Sequence, residues 1–176
     1  MLMSLRDDVY RKVLSGEKIY EHRKVFPDEP VKAYIYVSAP TKAICGIMYL
    51  SNRTSLLKWK EQYKDDAECV KRINEYLSHH NYAMEINKFE RTNSIDLEQL
   101  RADLSKFVVP QMYYYIENTE LLAYLEEKLE ADGFVVTHEY DLIDSSMICK
   151  ASSLMYQKTY SYYVLFIICI NGTRFW

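Results

Sequence analysis

Hydrophobic and polar positions alternate through residues 31–40, where Val31, Ala33, Ile35 and Val37 oppose Lys32, Tyr34, Tyr36 and Ser38. This period of two predicts a half-buried strand after the turn at Pro27-Asp28-Glu29-Pro30. Residues 43–50 are instead apolar on both faces, as a covered central strand requires, and the internal Gly46 predicts a bulge or a close backbone approach. Before them, Leu5, Val9 and Val13, with Tyr10 and Leu14 beside them, recur at helical spacing. Ser4 followed by Asp7 gives that helix a capping-box-like start, and Gly16 falls where a helix C-cap favours a left-handed residue.

Helical spacing returns in the middle of the chain. Leu56, Trp59 and Tyr63, then Val70, Ile73 and Leu77, predict two amphipathic helices separated by the charged turn Lys64-Asp65-Asp66. Together they form a helical insertion over about residues 52–80. A strand is predicted over 82–89, and Ser94 and Asp96 then open a short helix whose Leu97, Leu100 and Leu104 face inward. Asn118 is a candidate cap for a helix over about 119–132 carrying Leu121, Leu122, Leu125 and Leu129, ended by Gly133. The pattern is α+β, with one domain over residues 1–149.

The densest chemistry lies where the first helix gives way to a strand, in Gly16-x-Lys18-x-x-Glu21-x-Arg23. Alternation from Ile19 to Phe26 puts Glu21 and Arg23 on one face and Tyr20, His22 and Lys24 on the other. Lys18 has the opposite parity but lies in the turn before regular strand geometry, so its ammonium is free to approach Glu21. A lysine beside a glutamate in a partly dry cleft supplies an acid and a base if burial moves their pKa values toward neutrality, and Arg23 supplies a planar fork for phosphate or a base edge. The competing reading is a surface ion pair between Glu21 and Arg23 that stabilises little, with Lys18 solvated.

These residues resemble the signature of the ASCH family, small PUA-like β-barrels with bacterial members. The resemblance continues through Tyr36-x-Ser38-x-Pro40, the apolar strand with Gly46, and Pro110-Gln111 followed by Tyr113-Tyr114-Tyr115, covering about residues 5–115. It implies a PUA-like β-barrel with flanking and inserted helices and a cleft lined by Gly16, Lys18, Glu21 and Arg23, with Ser38, Pro110 and Gln111 at the rim. It also implies a ligand among RNA, nucleotides and modified nucleosides and, as in some members, hydrolysis by Lys18 and Glu21.

Composition narrows these readings. A net charge of −3 and a pI near 5.8 disfavour holding long nucleic acid by bulk electrostatics, so a small ligand, a loop or one flipped nucleotide fits better. Seventeen tyrosines offer stacking faces, though most are expected in packing. Cys45, Cys69, Cys149 and Cys169 show no Cys-x-x-Cys spacing, which indicates reduced thiols with no zinc or disulfide framework. His79-His80 sits at a predicted helix end and is read as meeting the last carbonyls there. No nucleotide-loop or cofactor fingerprint appears, so no cofactor and no metal are expected.

From residue 150 to the end there is not one Asp or Glu, and residues 162–170 are nine apolar residues in a row. That run falls short of the about twenty residues needed to span a bilayer. The tail fits a final buried strand, an interfacial anchor or an extension not needed for the fold; the last is preferred, so that a chain ending at Cys149 is expected to keep its structure. The first residues lack a signal-peptide pattern, and a cytoplasmic location is expected. Three functions stay open: a nucleic-acid or nucleotide-binding module, a small hydrolase using Lys18 and Glu21, and a protein-interaction adaptor acting through the C-terminal helix or tail.

Overall fold

Strand β4 (Ala43–Ser55) is the spine of a seven-stranded mixed sheet in the computed structural model, which describes residues 1–150. It lies between β3 (Val31–Val37) and the 15-residue β5 (Tyr82–Asp96), antiparallel to both. β1 (Leu2–Leu5) pairs in parallel with β3 and antiparallel with the short β6 (Tyr113–Tyr114). At the far edge, β5 pairs along one half with β2 (Tyr20–Arg23) and along the other with β7 (Ala131–Thr137). The sheet order is therefore β2-β5-β4-β3-β1-β6, curled into a half-barrel with β7 joined to β5.

The curl follows from where the apolar side chains go. Ala33, Ile35 and Val37 of β3 point into one core with Met3, Leu5, Cys45, Met84 and Phe89, covered by Tyr10 and Val13 of α1 (Asp7–Leu14). Tyr34 and Tyr36 point the other way, into a second core closed by α4 (Leu97–Asp103) and α5 (Glu120–Lys128). β3 is thus covered on both faces, where alternation predicted one wet face, because the tyrosines that look surface-compatible lie under those helices at 2 % exposure. Gly46 is where the backbones crowd: a Cβ there would sit 2.7 Å from the Glu90 carbonyl oxygen and strike the Phe89 ring.

The insertion is α2 (Leu56–Gln62) and α3 (Ala67–Leu77), capped by the side chains of Ser55 and Asp66. Leu56, Trp59, Cys69 and Ile73 pack with Tyr20 and Ala83 in a third core. That core is completed by Ile148 and Cys149 from a strap over residues 140–150.

Several local expectations change. Ser4 does not cap α1; it belongs to β1, and Arg6 precedes the helix without a side-chain cap. β5 runs seven residues beyond the predicted strand, to Asp96. Thr119 caps α5 in place of Asn118, which adopts a positive φ of 58°. The helix stops at Lys128, because Asn93 accepts from the Glu130 N–H and donates to the Lys128 carbonyl, and Gly133 lies inside β7. The tail beyond Lys150, with Cys169 and the apolar run 162–170, lies outside the described residues. No helix among the described residues is long and apolar enough to cross a membrane.

Candidate functional site

Gly16 ends the first helix with φ +73°, its N–H bonded to the Val13 carbonyl, and the Lys18 N–H then bonds the Lys12 carbonyl. This tight exit sends Lys18 toward the start of β2. Its Nζ stands 3.2 Å from Glu21 Oε2, while Arg23 Nη2 stands 2.8 Å from Glu21 Oε1. The same Nη2 donates to the Ser4 carbonyl at 2.8 Å. Glu21 is 4 % exposed while Lys18 and Arg23 are part-buried, so the three charges form a triad around a buried carboxylate and not a surface pair.

The triad lies on the wall of a cavity of about 460 Å³. Lys18, Glu21, Arg23 and Gln111 line it, whereas Gly16, Ser38 and Pro110 are not among its lining residues. Gly16 instead shapes the exit from α1. Ser38 ties β3 to the end of β1 through its N–H to the Leu5 carbonyl, and Pro110 is buried. The lining carries five cationic side chains against two carboxylates, Glu17 and Glu21, in a chain that is acidic overall.

Burial pushes the Glu21 carboxyl up, but the Lys18 and Arg23 charges beside it outweigh that and hold it below the ordinary carboxylate value. His22 faces the third core, its ring 4.6 Å from that of Tyr76, and burial, then Lys18 and His80, depresses it well below 6.5. Its Nε2 lies 3.8 Å from Cys149 Sγ. Burial pushes the Cys149 thiol up to about 12, so it is an inert thiol at neutral pH.

The cavity also contains residues that the motif did not point to: Tyr76, His80 and Cys149. The sequence predicts His80 to cap the end of α3. In the structure it is the backbone N–H groups of His79 and His80 that meet the Tyr76 carbonyl, at 3.0 and 2.8 Å, and the His80 ring turns to the cavity. Only the long-range packing of the insertion on β2 brings it there, and no local pattern encodes that. No group of three or more His, Cys, Asp or Glu among the described residues is placed to hold a metal ion.

The chain matches no family model and no curated protein. Among solved structures it is similar to ASCH from Zymomonas mobilis, with TM-score 0.56 and 20 % identity over 74 % of this chain and 95 % of that one. A mutant of the same protein aligns with the same score and identity over 73 % of this chain and 97 % of its own. The fold is that of the ASCH domain. The α+β half-barrel with its helices is therefore an ASCH fold, and the triad sits at the α1–β2 junction of that fold.

Proposed function

We propose that this ASCH-fold protein binds a nucleotide, or one unpaired nucleotide of an RNA, in the cavity beside Glu21. The observation that carries the reading is the triad itself. A carboxylate removed from water and held by two cations is a poor device for stability, since desolvation offsets most of the attraction. On a cavity wall it is a good device for recognition, because it presents fixed donors and an acceptor in a dry setting. Lys18 and Arg23 match phosphate oxygens or base acceptors, and Gln111 adds an amide at the rim. The excess of cations along the lining suits an anion without the long basic face that extended nucleic acid requires.

The test is a thermal-shift screen against nucleosides, modified nucleosides, mononucleotides and short RNAs, repeated on Lys18→Ala and Arg23→Ala, since a ligand that binds only the folded state raises the melting temperature. Stabilisation of the wild type that both variants lose supports the reading. Equal stabilisation of all three would place the ligand elsewhere.

One observation favours a second reading, a small hydrolase: Lys18 and Glu21 stand 3.2 Å apart, close enough to share a proton with a bound water or substrate. Against it, two cations keep Glu21 a weak base. Product formation in the same mixtures separates the two. For an adaptor, α5 offers little free apolar surface, because Leu121 and Leu125 are buried in the second core.

A further inference from the structure

The helical insertion does more than cover the sheet. At the C-terminal end of α3 the chain turns, and His80 enters the cavity wall beside Tyr76, the two rings 5.9 Å apart. Its ring also lies 6.2 Å from that of His22, across the edge of β2. His80 Nδ1 is shielded from solvent and has no hydrogen-bond partner among the described residues. An unpaired acceptor nitrogen is cheaper to bury than an unpaired N–H, so the proton is assigned to Nε2, the ring nitrogen of this cavity-lining residue that is not shielded without a partner.

We propose that His80 is a specificity-determining residue of this cleft, its Nε2–H donating to a hydrogen-bond acceptor on the edge of a nucleobase. The inference rests on the nucleotide-binding reading above and adds a division of labour to it. Lys18 and Arg23 are charged and hold an anion, whereas His80 is held neutral by burial, with Arg23 and Lys18 acting in the same sense against the opposing charge of Glu21. A neutral imidazole gains nothing special from phosphate, but it discriminates between base edges that do and do not present an acceptor. The reader of the base thus comes from the insertion, while the anion-holding groups come from the α1–β2 junction.

The experiment compares wild type, His80→Ala and His80→Gln by titration with adenosine, cytidine, guanosine and uridine, their 5′-monophosphates, and inorganic phosphate. His80→Gln keeps a donor near the Nε2 position. The expected result is about tenfold weaker binding of the preferred nucleoside by His80→Ala, with the ranking of the four bases flattened and phosphate binding unchanged. His80→Gln keeps affinity within about threefold. His80→Phe, which fills the ring volume without a donor, serves if His80→Ala fails to fold. Unchanged affinity and base ranking in the donor-less variant overturn the role of His80 and leave the nucleotide reading standing. Failure of every nucleoside and nucleotide to bind the wild type overturns both.

Discussion

Cys149 Sγ rests 3.8 Å from His22 Nε2, which joins the end of the described chain to the motif strand across 127 residues of sequence. The strap that carries Cys149 is fixed at several points. Arg72 donates to the carbonyls of Ser145 and Ile148, Asp66 accepts from the Ser145 hydroxyl, and the Tyr140 hydroxyl reaches the carbonyls of Ile19 and Ile86. The strap is therefore both a wall of the cavity and the closure of the third core.

A chain ending at Lys150 keeps every one of these contacts, including the Tyr76 hydroxyl bonded to the Lys150 carbonyl, and is expected to melt within a few degrees of the full chain. A chain ending at Glu139 exposes the core that Ile148 and Cys149 bury at 0 and 1 %, and is expected to melt about 10 °C lower. Differential scanning calorimetry of both decides it; equal melting of the two truncations would mean that the strap is not part of the cooperative fold.

Acid should destabilise the protein in two stages. His22, and His80 less deeply, have folded-state values below 6.5, so the unfolded chain takes up protons first. Their contribution is complete above about pH 6.5 and falls as pH drops below that value. Glu21, held below 4.5 by Lys18 and Arg23, adds a further loss under about pH 4.5. Urea unfolding from about pH 7.5 to 5 is expected to show stability falling by about 1 kcal/mol or more, with a shallower slope in His22→Phe. Parallel slopes in wild type and variant would remove His22 as the cause.

The strands and helices that were legible in the sequence are those whose pattern is local. β4 is apolar on both faces and Gly46 interrupts it, so both its burial and its crowding could be read directly. β1 was invisible because four residues that pair in parallel with β3 carry no turn signal, and Ser4 then resembled a cap. The second half of β5 was missed because Glu90, Arg91, Asn93 and Ser94 look like loop, whereas they lie in a strand that β7 partly covers. Within the candidate site, Lys18, Glu21 and Arg23 lie six residues or fewer apart and were found together. His80 and Cys149 reach the same cavity only through the docking of α3 and the strap, which no spacing rule anticipates.

Gly46→Ala tests the crowding in the central strand. The added methyl meets the Glu90 carbonyl at 2.7 Å, a backbone atom that cannot rotate away, so β4 and β5 must separate locally. The expected cost is about 1–3 kcal/mol, read as a lower urea midpoint with an unchanged m-value. An unchanged midpoint would show that the two strands yield more easily than their register implies.

Arg23 closes the curl from the side. β2 and β1 lie toward opposite ends of the strand order, and the Nη2 of Arg23 bridges them by donating to the Ser4 carbonyl while pairing with Glu21. Arg23→Ala leaves the Glu21 carboxylate buried with Lys18 as its one ion-pair partner among the described residues, and a loss of about 3 kcal/mol is expected, within what a domain of this size can bear while still folded. Adding Glu21→Gln removes the stranded charge, so the double variant should be more stable than the two single losses predict by about 1 kcal/mol or more. Arg23→Lys is expected to restore only part of the loss, because both contacts come from the one Nη2 and a shorter, flexible stem must bring its ammonium to the Ser4 carbonyl and Glu21 Oε1 together. Urea unfolding of the four variants measures the coupling. Additive losses would mean that the Glu21–Arg23 contact does not hold the seam, and that Lys18 alone keeps the carboxylate ionised in the cavity wall.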